Sequence, residues 1–203
     1  MSTEKLDHYI ATVEREILSF TKCIDKDALQ KANKIIQTSK KNHGRVHITG
    51  VGKPSHVAEY IAALNSSIGT PTYFLDTTEA VHGSAGQVQP EDVVIAISNS
   101  GQTEELKRTV LALQKIGVKL IGVSGGNDSW LHEHVDAFLF AGVKAEGDDL
   151  NKPPRNSILA ETIILQCLSV LLQEEQQLGL DEYFLWHPGG ALGQSIRDLK
   201  EEA

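Results

Sequence analysis

A chain of 203 residues is long enough for one well-buried α/β domain and too short for two full ones. Its 27 acidic side chains against 19 basic ones leave a formal charge of −8, and with no basic run this argues against nucleic acid or an anionic membrane surface as partner. An anionic small molecule needs only a local field and stays open. Cys23 and Cys167 show no metal or redox spacing, so they are expected to be reduced thiols of a cytoplasmic protein. The first five residues lack the apolar core of a signal peptide. The apolar stretch 158–172, interrupted by Glu161, Thr162, Gln166 and Ser169, is expected to be too short for a membrane span.

Residues 3–41 carry helical periodicity. Leu6, Tyr9, Ile10, Val13, Ile17 and Leu18 form one apolar face. After a break at 23–27, Leu29, Ala32, Ile35 and Ile36 form a second, which Gly44 stops. From residue 45 the pattern cycles through strand, turn and helix. Strands are expected at 46–51, 71–75, 92–97, 118–123 and 135–140, and helices at 54–68, 104–116 and, as a short turn, 130–134. Residues 77–88 read as a loop with a turn of helix, and 143–156 as a polar surface loop. Residues 157–178 read as a helix so apolar around its circumference that one domain could not bury it all, which points to a subunit interface. Such alternation predicts a doubly wound, five-stranded parallel sheet of flavodoxin-like type, residues 44–203, with N-terminal helices 1–43 packed on it.

In a sheet of order 2-1-3-4-5 the binding crevice opens between the first and third strands at their carboxyl ends. Two loops would meet there: Gly50-Val51-Gly52-Lys53-Pro54-Ser55 and Ser98-Asn99-Ser100-Gly101-Gln102-Thr103. The second follows a β-branched apolar run and opens a helix, an arrangement suited to an anion such as phosphate. A capped turn in any α/β domain would look the same.

Two familiar motifs fail on the first loop. A P-loop needs glycine at position 47 and Ser or Thr after the lysine, where His47 and Pro54 stand, and the dinucleotide fingerprint needs glycine in place of Ser55. Lys53 is thus either a cation beside the crevice or an exposed loop lysine. Glu105 either complements the dipole of its helix or acts as an acid, base or hydroxyl partner. Glu146, beside Gly147, reads as solvated when taken alone. His82, before Gly83, and His187, between Trp186 and Pro188, carry imidazoles of the kind that suits proton transfer. His132 and His134 are two apart and do not share a helical face, and there is no Cys/His quartet, so no metal site is expected.

Taken together, Gly50-x-Gly52-Lys53 with His56, Glu79-Ala80-Val81-His82-Gly83, Ser98-x-Ser100-Gly101 with Glu105, and His187-Pro188-x-Gly190-Ala191-Leu192-Gly193 resemble the sugar isomerase (SIS) domain, most closely the arabinose-5-phosphate isomerase family. The likeness runs over about residues 40–197. It implies an aldose–ketose isomerase of sugar phosphates, working through a cis-enediol without a cofactor. Ser98, Ser100 and Thr103 would hold the phosphate, with Gly52, Ser55, His82 and Asn99 lining the substrate. Lys53, Glu105, Glu146 and His187 would surround the reacting carbons, His187 moving the proton. The resemblance further implies a homotetramer with sites shared between subunits. The chain departs from the family at Pro54 and Ser55, at Ser84, and at Gly147–Leu150 and Pro153–Ser157, the segment expected to line the sugar end. Longer members carry a tandem CBS module, which is not expected here. A sugar-phosphate sensor and a 6-phospho-3-hexuloisomerase are the alternatives.

Overall fold

The computed structural model describes residues 3–190 and Gln194. Two helices open the chain, α1 (Glu4–Lys22) and α2 (Lys26–Lys41). The break between them is a helix cap, in which the Asp25 carboxylate accepts the amides of Asp27 and Ala28 at 2.9 and 3.0 Å. His43, at φ 62°, turns the chain after α2. Gly44 then passes so close to the Glu91 carbonyl that no side chain would fit.

The five strands β1 (Val46–Gly50), β2 (Thr72–Phe74), β3 (Val93–Ile97), β4 (Lys119–Ser124) and β5 (Ala137–Phe140) form one sheet in the order β2-β1-β3-β4-β5. Every pairing is parallel, as expected from the sequence. The connecting helices are α3 (Lys53–Ser67), α4 (Thr77–Ala80) with a 3₁₀ turn at Ser84–Gln87, α5 (Glu104–Ile116) and α6 (Trp130–Glu133). After β5 come α7 (Asn156–Gln176) and α8 (Leu180–Trp186), the latter absent from the expected elements. Most of the strand ends that differ move inward by a residue or two, whereas β4 runs one residue further, to Ser124. Asp92, for one, leaves β3 because its carboxylate holds the amides of Arg45 and Gln89 at 2.7 and 2.9 Å.

β1 and β3 are buried along their whole length, as continuous β-branched runs in a covered parallel sheet must be. Alternate residues divide between two cores. Val93, Ile95 and Ile97 join Ile36, Ile48 and Ile164 beneath α2, α3 and α7. Val94 and Ala96 join Leu75, Leu113 and Leu131 beneath α4, α5 and α6. Each large side chain so buried contributes about 1.5–3 kcal/mol.

The expected shortness of the apolar helix needs correction. At 21 residues, α7 is long and apolar enough to cross a membrane by length and composition, because the helix runs past both ends of the 158–172 stretch. Half of its most apolar window is nevertheless buried in the domain core, where Ala160, Ile164, Leu165, Leu168 and Leu172 pack. Val170, 64% exposed, and Leu159 face outward.

Candidate active site

Gly50 and Ile97 are register partners at the ends of adjacent strands, so the glycine and serine loops leave the sheet side by side at the point where strand order reverses. In the serine loop, Ser98 is buried and its Oγ accepts the Gly101 amide at 3.1 Å. The same hydroxyl lies 3.0 Å from the Thr103 hydroxyl. Thr103 precedes α5 but makes no side-chain cap, because its oxygen is turned back to Ser98. Among the described residues no side chain caps the first amides of α5, an arrangement chemically able to accept an anion. Ser100 is exposed and its Oγ accepts the Gln102 amide at 3.1 Å. Gly101 sits at φ +63° against Ser129, the cap of α6.

The glycine loop is built for close approach. A methyl group on Gly50 would come within 2.9 Å of the Pro54 backbone, and Gly52 opens α3 at φ +70° without a side-chain cap. The Ser55 hydroxyl donates to the Gly52 carbonyl at 2.6 Å. Lys53 is exposed in the first turn of α3. With His56, Tyr60, Pro154 and Ile158 it borders a groove of about 300 Å³ between α3 and α7. A third wall is the loop after β4, where the Gly125 amide and the Ser124 hydroxyl donate to the Asn99 carbonyl at 2.9 and 3.2 Å. Beneath the loops, Thr49, Thr77 and Thr109 form a buried shelf: Thr77 donates to the Gly50 carbonyl at 2.9 Å, and Thr109 to the Thr77 carbonyl at 2.7 Å.

Glu146 is not solvated, as it reads when taken alone. It is 8% exposed, and one carboxylate oxygen accepts the amides of Arg155 and Ser157 at 2.6 and 3.2 Å. Its own amide donates to Asn151 Oδ1 at 2.6 Å. The polar loop therefore closes on itself at the start of α7, and Glu146 is held rigid by amides that complement its charge. The Arg155 and Ser157 amides, which do the holding, have no sequence signature, and the Asn151 side chain that accepts the Glu146 amide was not singled out from sequence.

Glu105 lies exposed in the first turn of α5. His82 is exposed after α4, and no described hydrogen bond ties it to the serine loop. His187 stands elsewhere. It ends α8, stacked on Tyr183 at 4.0 Å between ring centroids, with Nδ1 3.0 Å from the Tyr183 carbonyl. Its neighbour Trp186 lies directly on Gly69, beyond the last residue of α3, while Lys53 is the first. Those 15 residues rise about 22 Å. Within one chain, then, His187 is not brought to Lys53 and the serine loop. Ala191, Leu192 and Gly193 of the expected tail motif lie outside the described residues. The larger cavity, about 700 Å³, is separate from the crevice, between α1 and the Asp148–Leu150 turn, with Lys5 and Arg155 already paired to Asp149 and Asp148.

This geometry has close relatives. A family model described as SIS domain matches residues 39–171. Arabinose 5-phosphate isomerase KdsD of Shigella flexneri is 37% identical over 153 residues, which is 75% of this chain and 47% of that protein. The Pseudomonas aeruginosa protein of the same name is 36% identical over the same shares. This chain thus spans about half the length of the curated relatives it matches. Among solved structures, Escherichia coli CFT073 c3406 in complex with arabinose 5-phosphate is 32% identical with a TM-score of 0.80, the match covering 93% of this chain and 100% of that one. With its β2-β1-β3-β4-β5 sheet, its serine turn opening α5 and this match over most of its length, the chain belongs to the SIS domain family.

Proposed function

We propose that the protein is a sugar-phosphate aldose–ketose isomerase of the arabinose-5-phosphate type. The observation that carries this reading is the serine turn, whose Thr103 hydroxyl is directed to Ser98 and leaves the start of α5 open to an anion. Ser100, Thr103 and those amides would take the phosphate, with Ser98 fixing the turn from below. Gly52, Ser55, Asn99 and His82 would line the sugar. The relatives named arabinose 5-phosphate isomerase and the neighbour solved with arabinose 5-phosphate support the substrate class.

In the proposed reaction a base takes the proton from the carbon beside the carbonyl, giving a cis-enediol. The proton returns to the neighbouring carbon as the carbonyl moves. Glu146, whose carboxyl accepts two amides, and the exposed Lys53 suit the two ends of that charge shift, with Glu105 at the rim. His187 is the proposed proton carrier. Its seat at the far end of α3 supports delivery by a neighbouring subunit in a cytoplasmic homotetramer, and the outward Tyr60, Leu159 and Val170 offer surface for such contacts. Nothing in the geometry favours the sensor or the hexuloisomerase instead.

The test is proton NMR with D-ribulose 5-phosphate in D₂O, beside a His187→Ala control. Arabinose 5-phosphate carrying deuterium at the exchanged carbon, lost in the variant, is the expected result. Binding without turnover would move the assignment to a sensor, and a strictly monomeric protein in light scattering would remove the shared site.

A further inference from the structure

Glu161, buried in α7, takes no part in the crevice described above. It is 0% exposed, and neither carboxyl oxygen meets a hydrogen-bond partner among the described residues. Ser157, one turn earlier, is equally buried and its hydroxyl is equally unpartnered. Residues four apart share a helix face, and helical side chains lean toward the helix start. Glu161 therefore leans over the turn of Ser157, whose amide is one of the two that hold Glu146. Two carboxyls converge on one helix start, the first hydrogen-bonded and the second bare.

Among the described residues no cation comes between them. The Arg155 guanidinium is bound to Asp148 at 2.6 Å. Of the other elements packed on α7, α1 brings Glu16, which is engaged with Arg15 and the Lys144 amide. α3 brings Lys53 and His56, both exposed. The buried face of α2 holds only Leu29, Ala32, Asn33, Ile36 and Ser39. Two carboxylates so placed cannot both ionise without large cost. Glu146 accepts the two amides and Glu161 has no such donors, so Glu161 is the one that holds a proton. Burial first, and the Glu146 charge second, push Glu161 up to about 8.

We infer that Glu161 is a positioning residue: it holds a proton, which leaves Glu146 seated alone on the α7 amides. Its effect on turnover rests on the isomerase reading; its pairing with Glu146 does not. Once Glu161 ionises, a second negative charge faces the same helix start and loosens the seat of Glu146 on its amides.

The experiment has two independent parts. Infrared spectra of the intact protein should show a protonated-carboxyl C=O band at neutral pH. That band should be missing in Glu161→Gln, disappear as the pH passes about 8 in the wild type, and titrate roughly one pH unit lower in Glu146→Gln. With D-ribulose 5-phosphate, wild-type kcat/KM should fall about tenfold between pH 7 and pH 9, while the Glu161→Gln profile stays flat over that range. The inference is overturned if the band is missing at neutral pH, if Glu146→Gln leaves its titration in place, or if the two rate profiles coincide. Should neither protein turn the sugar over, the isomerase reading fails alone and the band titrations still decide the pairing.

Discussion

At the amino edge of the sheet, Asp92 is nearly sealed from water and fully engaged. It accepts the amides of Arg45 and Gln89, pairs with His47 Nε2 at 3.1 Å, and lies 3.7 Å from the Arg45 guanidinium. At the carboxyl edge, polar groups are left available: an uncapped start to α5, an exposed Ser100, an exposed Lys53, and a bare Glu161 behind Glu146. The same chemistry serves opposite ends. A closed network fixes β1 against β3, whereas an open one has capacity for a ligand or a proton. Only Nδ1 of His47 lacks a partner in the closed network, as suits a neutral imidazole donating from its other nitrogen to Asp92.

Substitutions at the two edges should separate along that line. Glu146→Gln, which keeps an oxygen for the Arg155 and Ser157 amides, should lower kcat/KM by about 10²–10⁴-fold with the melting temperature nearly unchanged. A large loss of stability instead would make Glu146 a structural cap. Asp92→Ala should do the reverse. It strands two part-buried amides and the buried His47, so urea unfolding should show a loss of about 3–5 kcal/mol, with the remaining folded molecules active.

The edges should also respond to pH with opposite sign. Burial raises Glu161, so the folded state keeps a proton that the unfolded state gives up, and stability should decline as pH rises from about 4.5 toward about 8. By pH 7 that decline is worth about 3 kcal/mol, and Glu161→Gln should abolish it in denaturation curves. At the other edge, burial above all lowers His47, so the unfolded state protonates first and stability should fall as pH drops below about 6.5. Burial alone would raise Asp92, but the Gln89 and Arg45 amides and His47 outweigh it and hold the carboxyl below its ordinary range. Its contribution should be lost only as pH falls below 3.8. The smallest expected effect is that of Gly101→Ala. A positive φ and the crowding by Ser129 should cost about 1–3 kcal/mol and weaken phosphate protection of the serine turn in hydrogen exchange.

The sheet order and the crevice were legible because they rest on periodicity. Valine and isoleucine runs declare buried strands, and glycines between them declare turns. Ser98, Asn99, Ser100 and Thr103 were legible for the same reason, standing where a strand passes into a helix. Glu146 was harder. Its burial depends on amides nine and eleven residues further on, and a loop that folds back on a helix start leaves no period to read. Glu161 looked like a polar interruption of an apolar helix, although its four-residue spacing from Ser157 was on view. α8 was missed because seven residues fall just short of two turns and show no full amphipathic repeat. The place of His187 could not be read at all, since only the seat of Trp186 on Gly69 reveals it.

The way α1 is fastened bears on how the chain is made. Tyr9 covers Gly147, Glu16 accepts the Lys144 amide at 2.7 Å, and α2 packs on β5 and α7. Helices α1 and α2 are thus matched to partners that are synthesised well after them. Until β5 and α7 emerge, the apolar face of α2, with Leu29, Ala32 and Ile36, is covered only in part, on the side of β3. A nascent chain arrested before residue 140 should therefore bind chaperone through its first helices, and release should await synthesis of α7.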